Sequence, residues 1–129
     1  YGNFDIVTAN NVCAHVDKFQ NFVQGVKNIL SSKGIFSFEV SYLVDVITKK
    51  TFDTIYHEHV DYHSLMPLIN FFKKLDLEII DATRVKAQGG SIRVFVSHRG
   101  ARKINICNCP VQPIPNPPTF SDLLEKLHH

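Results

Sequence analysis

The chain has 129 residues, of which 44% are hydrophobic, and a formal net charge of +2 at pH 7 with a pI near 8.5. This length and composition fit one ordinary domain with a buried core, and the mild charge gives no reason to expect a nucleic-acid partner. No apolar run reaches the ~20 residues that a membrane helix needs and no signal-peptide pattern opens the chain, so we expect a soluble, cytoplasmic protein without a membrane partner.

The first forty residues predict a strand, a helix and a second strand. Residues 4–9 form a short apolar run rich in β-branched side chains, which is typical of a buried strand. Apolar residues then recur three and four apart over residues 17–31, which predicts a helix with Asp17 as its cap or first-turn anion. Gly34 is expected to end this helix, before a second strand over residues 35–40. A unit of this kind predicts a parallel strand pair.

Polar residues follow the first strand directly. Asn10 and Asn11 come at its end, and His15 lies a few positions later. Open α/β sheets bind their ligands in the loops at the carboxyl ends of the strands, so these residues are candidates for a site. The same asparagines are equally typical of a turn or a helix cap, and a lone histidine is often structural.

The rest of the chain predicts two helices and a hairpin. Residues 41–50 predict a short helix, and Ser64 is placed to cap another one whose first turn tolerates Pro67. The apolar face of that second helix comprises Leu65, Leu68, Ile69, Phe72 and Leu75. Residues 77–83 and 91–97 predict two strands, which should run antiparallel because no helix separates them.

The domain organisation follows from composition. We expect one α/β unit over residues 1–100 and a linker over residues 101–118, which has five prolines between residues 110 and 118. Residues 119–129 are the start of a further helix or simply the end of the chain. Cys13, Cys107 and Cys109 make an odd count without a disulfide framework, and we interpret all three as structural.

The most unusual stretch is residues 52–63, which contains three histidines, three carboxylates and two tyrosines. Histidine beside glutamate and tyrosine is suited to moving a proton or holding a metal ion. A polar surface loop is the simplest alternative. A zinc or iron enzyme is another, with His57, His59 and His63 as ligands, joined by Glu58 or His15. A domain that only binds a partner is the third.

Three segments together resemble a known enzyme family. They are residues 4–15, the Tyr56-His57-Glu58-His59 block with the residues before it, and residues 88–94. These segments are similar to motifs of the S-adenosylmethionine-dependent sugar C-methyltransferases, which methylate carbon 3 of a nucleotide-linked 4-keto-deoxysugar. The resemblance implies an α/β fold: the second half of a Rossmann-like class I methyltransferase sheet, ending in an antiparallel hairpin.

The resemblance also implies roles for individual residues. His59 corresponds to the base that removes a proton beside the ketone, Tyr56 and Glu58 contact the sugar, and His15 faces the same pocket. Asn11 faces that pocket too and is expected to bind the substrate. Gln88, Gly89 and Gly90 are expected to let the backbone come close to the substrate, although a plain β-turn explains these glycines equally well. Asn10 and Asn11 are the positions expected to lie near the cofactor.

The chain departs from the family in what it lacks. The glycine-rich loop and the acidic residue that hold S-adenosylmethionine in such enzymes are missing from this sequence, and so is a cysteine-rich zinc lobe. We therefore expect a fragment that has the sugar side of the site and is inactive alone. We also expect the edge strand over residues 4–9 to favour pairing with a second copy, giving a homodimer.

Overall fold

The computed structural model describes residues 3–49, 63–86 and 90–106. In chain order the elements are β1 (Phe4–Asn10), a 3₁₀ turn (Cys13–His15), α1 (Phe19–Ile29), β2 (Leu30–Ser41), α2 (Leu43–Lys49), α3 (Leu65–Lys74), β3 (Leu77–Val85) and β4 (Ser91–His98). Within these residues the strands form a four-stranded sheet in the order β1-β2-β4-β3. The predicted α/β fold is confirmed.

The first two strands form the predicted parallel pair, with α1 as the connection between them. Val7 lies opposite Phe36, and Ala9 lies opposite Phe38. These four side chains belong to the sheet face that α1 covers, since Val23 and Val26 of α1 are buried in the same apolar cluster. The strand–helix–strand unit therefore forms because both the strands and the helix bury one apolar face against each other.

Two local predictions in this unit are wrong. Lys18 is the N-cap residue of α1 and the first turn has no acidic residue, so Asp17 lies outside the helix and does not cap it. Gly34 does not end the helix either, because Leu30 already has extended backbone and β2 begins there. A Cβ atom at Gly34 would lie 2.7 Å from the Leu30 side chain and 2.9 Å from the Phe4 carbonyl oxygen. Gly34 thus permits close packing of β1 on β2.

The second half of the sheet is the predicted hairpin. β3 and β4 run antiparallel, and β4 lies between β3 and β2. Because β4 is also antiparallel to β2, its first residue, Ser91, lies opposite Ser41 at the end of β2. This order places the start of β4 at the same end of the sheet as the carboxyl ends of β1 and β2.

One face of the sheet forms the core with α1 and α3. Phe38 is fully buried, with its ring centroid 6.2 Å from that of Phe19 and 5.8 Å from that of Phe72. The other buried strand positions on this face recur at every second residue in β2 and β4, as expected for period-two burial, whereas β3 shifts its register between Ile79 and Asp81. They are Phe36 and Val40 in β2, Ile92, Val94 and Val96 in β4, and Leu77, Ile79 and Ala82 in β3.

The helices α2 and α3 lie where the sequence predicts helices. The short helix predicted over residues 41–50 is α2, and Ser64 is the N-cap residue of α3, although its side chain makes no capping hydrogen bond. The Nζ atom of Lys27 donates to the Leu75 carbonyl oxygen at 2.8 Å, so α1 satisfies a carbonyl at the end of α3. Among the described helices none is long and apolar enough to cross a bilayer.

β1 lies at one edge of the described sheet and is largely exposed, so the expectation that residues 4–9 form a buried strand is wrong. Phe4 is 54% exposed and Ile6 is 70% exposed, which is unusual for side chains of this size. Residues 107–129 lie outside the described residues. The proline-rich linker, the final helix and the structural roles of Cys107 and Cys109 therefore stay predictions.

Candidate functional site

Three chain segments meet at the end of the sheet where β1 and β2 terminate. Because β1 and β2 are parallel, Asn10 at the end of β1 lies beside Glu39 near the end of β2. Because β4 is antiparallel to β2, Gly90 and Ser91 lie on the other side of β2 at the same edge. The structure thus brings Asn10, Asn11 and Gly90 to the same end of the sheet, as a site at the carboxyl ends of the strands requires.

Asn11 makes the turn that ends β1. Its φ angle is 56°, a left-handed conformation that asparagine adopts more readily than most residues. Its backbone N–H donates to the Glu39 carbonyl oxygen at 3.3 Å, which fixes the turn to β2. The side chains of Asn10 and Asn11 are both exposed, so their amide groups are available to donate to and accept from a polar ligand.

His15 ends the 3₁₀ turn that follows. The backbone N–H of His15 donates to the Val12 carbonyl oxygen at 2.9 Å, and Cys13 and Ala14 beneath it are buried. His15 itself is exposed. The two buried neighbours anchor the turn, which keeps His15 close to the end of β1.

Cys13 is adjacent to these candidates but is not a nucleophile. Burial raises the pKa of the Cys13 thiol from its ordinary value of 9.0 to about 12, because the apolar surroundings disfavour the thiolate. The prediction that Cys13 is structural agrees with this position in the core.

An ion pair that the sequence did not identify lies next to Asn10. The Glu39 Oε2 atom accepts from Arg93 Nη2 at 2.9 Å and from Arg93 Nε at 3.2 Å. The Glu39 carboxylate is buried, whereas Arg93 is exposed. In the sequence each residue is a charge between two apolar neighbours, which is the available signal, but their pairing depends on the β2–β4 register.

A second cluster surrounds Gly90. Its φ angle of 132° strongly favours glycine, and its carbonyl oxygen accepts from the Tyr42 N–H at 3.2 Å. The Asp45 carboxylate packs against Gly90, and Arg84 donates to that carboxylate. Asp45 and Arg84 were also not identified from the sequence, since nothing in the local pattern links α2 to the end of β3.

Several predicted site residues lie outside the described residues: Tyr56, Glu58, His59, Gln88 and Gly89. The positions where their segments join the described part are nevertheless informative. Residues 50–62 depart from the end of α2 and return at His63, whose carbonyl oxygen accepts from the Leu43 N–H at 2.9 Å. Both ends of this segment therefore connect to the helix that directly follows β2.

The described residues give no support to the metal hypothesis. The described ranges contain no group of three or more histidine, cysteine, aspartate or glutamate side chains placed to hold a metal ion. His63 is buried, with its ring centroid 5.1 Å from that of Phe19, so it belongs to the core. His57 and His59 lie outside the described residues.

Asn10 and Asn11 are the two described positions that the resemblance places near S-adenosylmethionine. The exposed amides of Asn10 and Asn11 at a strand end suit a polar cofactor. In the part of the chain that the structure describes, β1 is followed by these asparagines and not by a glycine-rich turn, so the groups that would hold methionine and ribose are not found there.

Comparisons with known proteins show that the chain is similar to methyltransferases. The chain is 35% identical over 101 residues to C-methyltransferase NovU from Streptomyces niveus, and the match covers 78% of this chain and 24% of that protein. The chain therefore spans about a quarter of the length of this relative. No protein-family model matches the chain.

Two solved structures share the fold. One is a magnesium protoporphyrin IX methyltransferase from Synechocystis with bound SAH: TM-score 0.56, 11% identity, 76% of this chain and 46% of that one. The other is an S-adenosylmethionine-dependent methyltransferase from Clostridium acetobutylicum: TM-score 0.57, 14% identity, 77% of this chain and 60% of that one. Over the residues it covers, the chain has the mixed α/β fold of S-adenosylmethionine-dependent methyltransferases, with an antiparallel hairpin closing the sheet.

Proposed function

We propose that this chain is part of an S-adenosylmethionine-dependent enzyme that methylates carbon 3 of a nucleotide-linked 4-keto-deoxysugar. The observation that carries the proposal is the 35% identity to a C-methyltransferase. The fold supports it, because Asn10, Asn11 and Gly90 lie at the sheet edge where open α/β sheets bind ligands. The chain supplies the sugar side of the site and little of the cofactor side.

The proposed reaction begins with a proton transfer. His59 removes the proton from carbon 3, next to the ketone, since an imidazole titrates near neutral pH and is suited to general-base catalysis. Tyr56 donates a hydrogen bond to the ketone oxygen as its negative charge develops, and the imidazolium formed at His59 stabilises the same enolate. S-Adenosylmethionine, when bound, supplies an electrophilic methyl group.

The remaining residues hold the sugar in place. Glu58 lies two positions after Tyr56, so the two side chains point the same way if that segment is extended, whereas His57 points to the other side. Asn11 and His15 approach the substrate from the end of β1, and Gln88, Gly89 and Gly90 approach it from the start of β4. Their contribution is alignment of carbon 3 with the methyl donor in a pocket that excludes water.

Methyl transfer by the full-length protein tests this assignment. We expect methylation of a 4-keto-deoxysugar nucleotide, with kcat reduced ~10²-fold or more in the His59→Asn variant because the base is lost. The matched control is His57→Asn, which should stay within a few fold of wild type. A His59→Asn enzyme as active as the control would contradict the assignment of the base.

A further inference from the structure

The face of the sheet that points away from α1 and α3 has an apolar groove. Ile35 precedes the core residue Phe36, and side chains alternate along a strand, so Ile35 points to the opposite face. Phe95 does the same, because both of its neighbours in β4 are core residues. Together with Ile80 of β3, these two side chains line an open groove with a volume of ≈ 380 Å³, the second-face groove.

The apolar surface continues from this groove to the exposed edge of the sheet. Ile6 of β1 lies opposite Ile35 in the parallel pair and is 70% exposed. Since opposite residues of paired strands share one face, Ile6 extends the apolar surface across all four strands. Parallel strands in α/β proteins are normally covered on both faces, so this surface calls for a further element to cover it.

A short segment after β4 forms one wall of the groove. The Arg102 Nε atom donates to the Lys33 carbonyl oxygen at 2.9 Å, and the Asn105 N–H donates to the Ile80 carbonyl oxygen at 2.6 Å. These bonds hold residues 102–105 beside the strands. Among the described residues, only the strands and this segment line the groove, so its floor stays open in that part of the chain.

The wall gives the groove a positive rim. Arg102 and Lys103 are both exposed there. The one carboxylate among the described lining residues belongs to Asp81, and it already accepts from the Ala82 N–H at 2.8 Å. Two cations against one carboxylate leave the groove with a net positive charge, which favours an occupant of net negative charge.

The chain itself supplies an occupant of this chemistry. The described part ends at Ile106, directly after the wall of the groove. Residues 119–127 have apolar side chains at spacings of three and four, which predicts one apolar helix face: Phe120, Leu123, Leu124 and Leu127. The charged side chains of the same stretch are net negative: Asp122, Glu125 and Lys126.

The dimensions of this stretch fit the sheet. A helix over residues 119–127 would be about 13.5 Å long, and four strands spaced by ~4.8 Å are about 14 Å wide between the outer strand axes. The proline-rich residues 107–118 span up to ~37 Å when extended, so they reach any point of the groove. A segment tethered in this way has an effective concentration of the order of millimolar, which favours it over a second copy at micromolar concentration.

We propose that residues 119–127 form an amphipathic helix that docks in the second-face groove of the same chain, with its apolar face on Ile35, Ile80 and Phe95. The docked helix covers the sheet face opposite α1 and α3, so that both faces of the sheet are packed against helices. The inference is independent of the proposed function, because no step of methyl transfer enters it.

Fluorescence of the 129-residue chain tests the docking directly. The chain contains no tryptophan, so Phe120→Trp introduces a single reporter on the apolar side of the predicted helix. The matched control is Glu125→Trp, because position 125 lies on the opposite side of that helix. We expect the emission maximum of Phe120→Trp at shorter wavelength than that of Glu125→Trp, and its quenching by acrylamide several-fold weaker.

A matched pair of isoleucines tests the groove. In the Phe120→Trp background, Ile35→Ser removes part of the floor and should shift the emission to that of the Glu125→Trp protein. Ile104→Ser, at a 46% exposed isoleucine outside the groove lining, should leave the emission unchanged. Far-UV circular dichroism shows whether Ile35→Ser keeps its sheet. If it does not, Leu124→Ser makes the same test from the segment, since this change removes none of the described strand contacts.

Dilution separates docking within one chain from docking between two copies. An emission maximum of Phe120→Trp that stays the same across the micromolar range supports the proposal. A shift that disappears on dilution means that a second copy fills the groove, which overturns it. An emission maximum equal to that of Glu125→Trp, or a shift that survives both Ile35→Ser and Leu124→Ser, overturns it as well.

Discussion

Cys13 is a thiol beside the candidate site residues, yet it is fully buried. A cysteine near His15 and two asparagines invites a catalytic interpretation. Its environment rules this out, because burial raises the pKa of the Cys13 thiol to about 12 and keeps it protonated at neutral pH. At this position burial decides the chemistry, and residue type alone does not.

The raised pKa of Cys13 predicts a pH dependence of stability. Since the pKa is about 12 in the folded protein and 9.0 ordinarily, the contribution is fully present below pH 9.0 and is lost as the pH rises towards 12. We expect the free energy of unfolding to fall more steeply between neutral and strongly alkaline pH in wild type than in Cys13→Ala. Urea titrations across this range measure the difference, and parallel curves for the two proteins would contradict the assignment.

At the scale of elements, the position of β4 organises the site. Its insertion between β2 and β3 brings Arg93 to Glu39 and Gly90 to Tyr42. Neither contact is visible in a local sequence pattern, because each one depends on the register of strands that are far apart in the chain.

Two glycines in neighbouring elements should respond in opposite ways to alanine. Gly25 lies in α1 with no atom within 4 Å of an added Cβ, so Gly25→Ala should stabilise the protein by about 0.5–1 kcal/mol through helix propensity. Gly34→Ala would force apart Leu30 and the Phe4 carbonyl group, and should destabilise it by ~1–3 kcal/mol. Chemical denaturation measures both, and a Gly34→Ala protein as stable as wild type would show that the close packing of β1 on β2 is wrong.

The elements were predictable where a periodic pattern was strong. The alternation in β4 and the apolar spacing in α1 and α3 predicted the right element types, and the lack of a helical pattern between β3 and β4 predicted the hairpin. Asp17 and Gly34 were misassigned because their residue types suit a helix end. In the structure α1 ends at Ile29, because Leu30 already adopts extended backbone four residues before Gly34.

The candidate site was predictable only in part. Asn10, Asn11 and Gly90 lie at one edge of the sheet, as the order of strands implied. Asp45 and Arg84 were not found, since their contact links α2 to the end of β3 and has no signature along the chain. For Tyr56, Glu58 and His59, which lie outside the described residues, the assignment stays a prediction.

At the scale of the whole molecule, β1 leaves an exposed apolar edge on the described sheet. Edge strands with exposed apolar side chains favour pairing with another strand. We expect the 129-residue chain to self-associate through this edge, and Ile6→Lys to weaken the association by placing a charge there. The control is Ile104→Lys, another exposed isoleucine outside the strand.

Sedimentation velocity over a wide concentration range measures self-association of the wild-type chain and of the two variants. Concentration-dependent association that is lost in Ile6→Lys and kept in Ile104→Lys would support pairing through β1. Association that is equal in all three proteins would place the contact elsewhere, and a wild-type chain that stays monomeric would contradict the expectation.

The most direct test of the proposed chemistry is exchange of the substrate hydrogen at carbon 3. The full-length protein is incubated with a nucleotide-linked 4-keto-deoxysugar in D₂O without the methyl donor, and deuterium incorporation is followed by NMR. We predict enzyme-dependent exchange at carbon 3 that falls ~10²-fold in His59→Asn and persists in His57→Asn. Exchange at the same rate in His59→Asn and wild type would contradict the central claim that this imidazole generates the enolate.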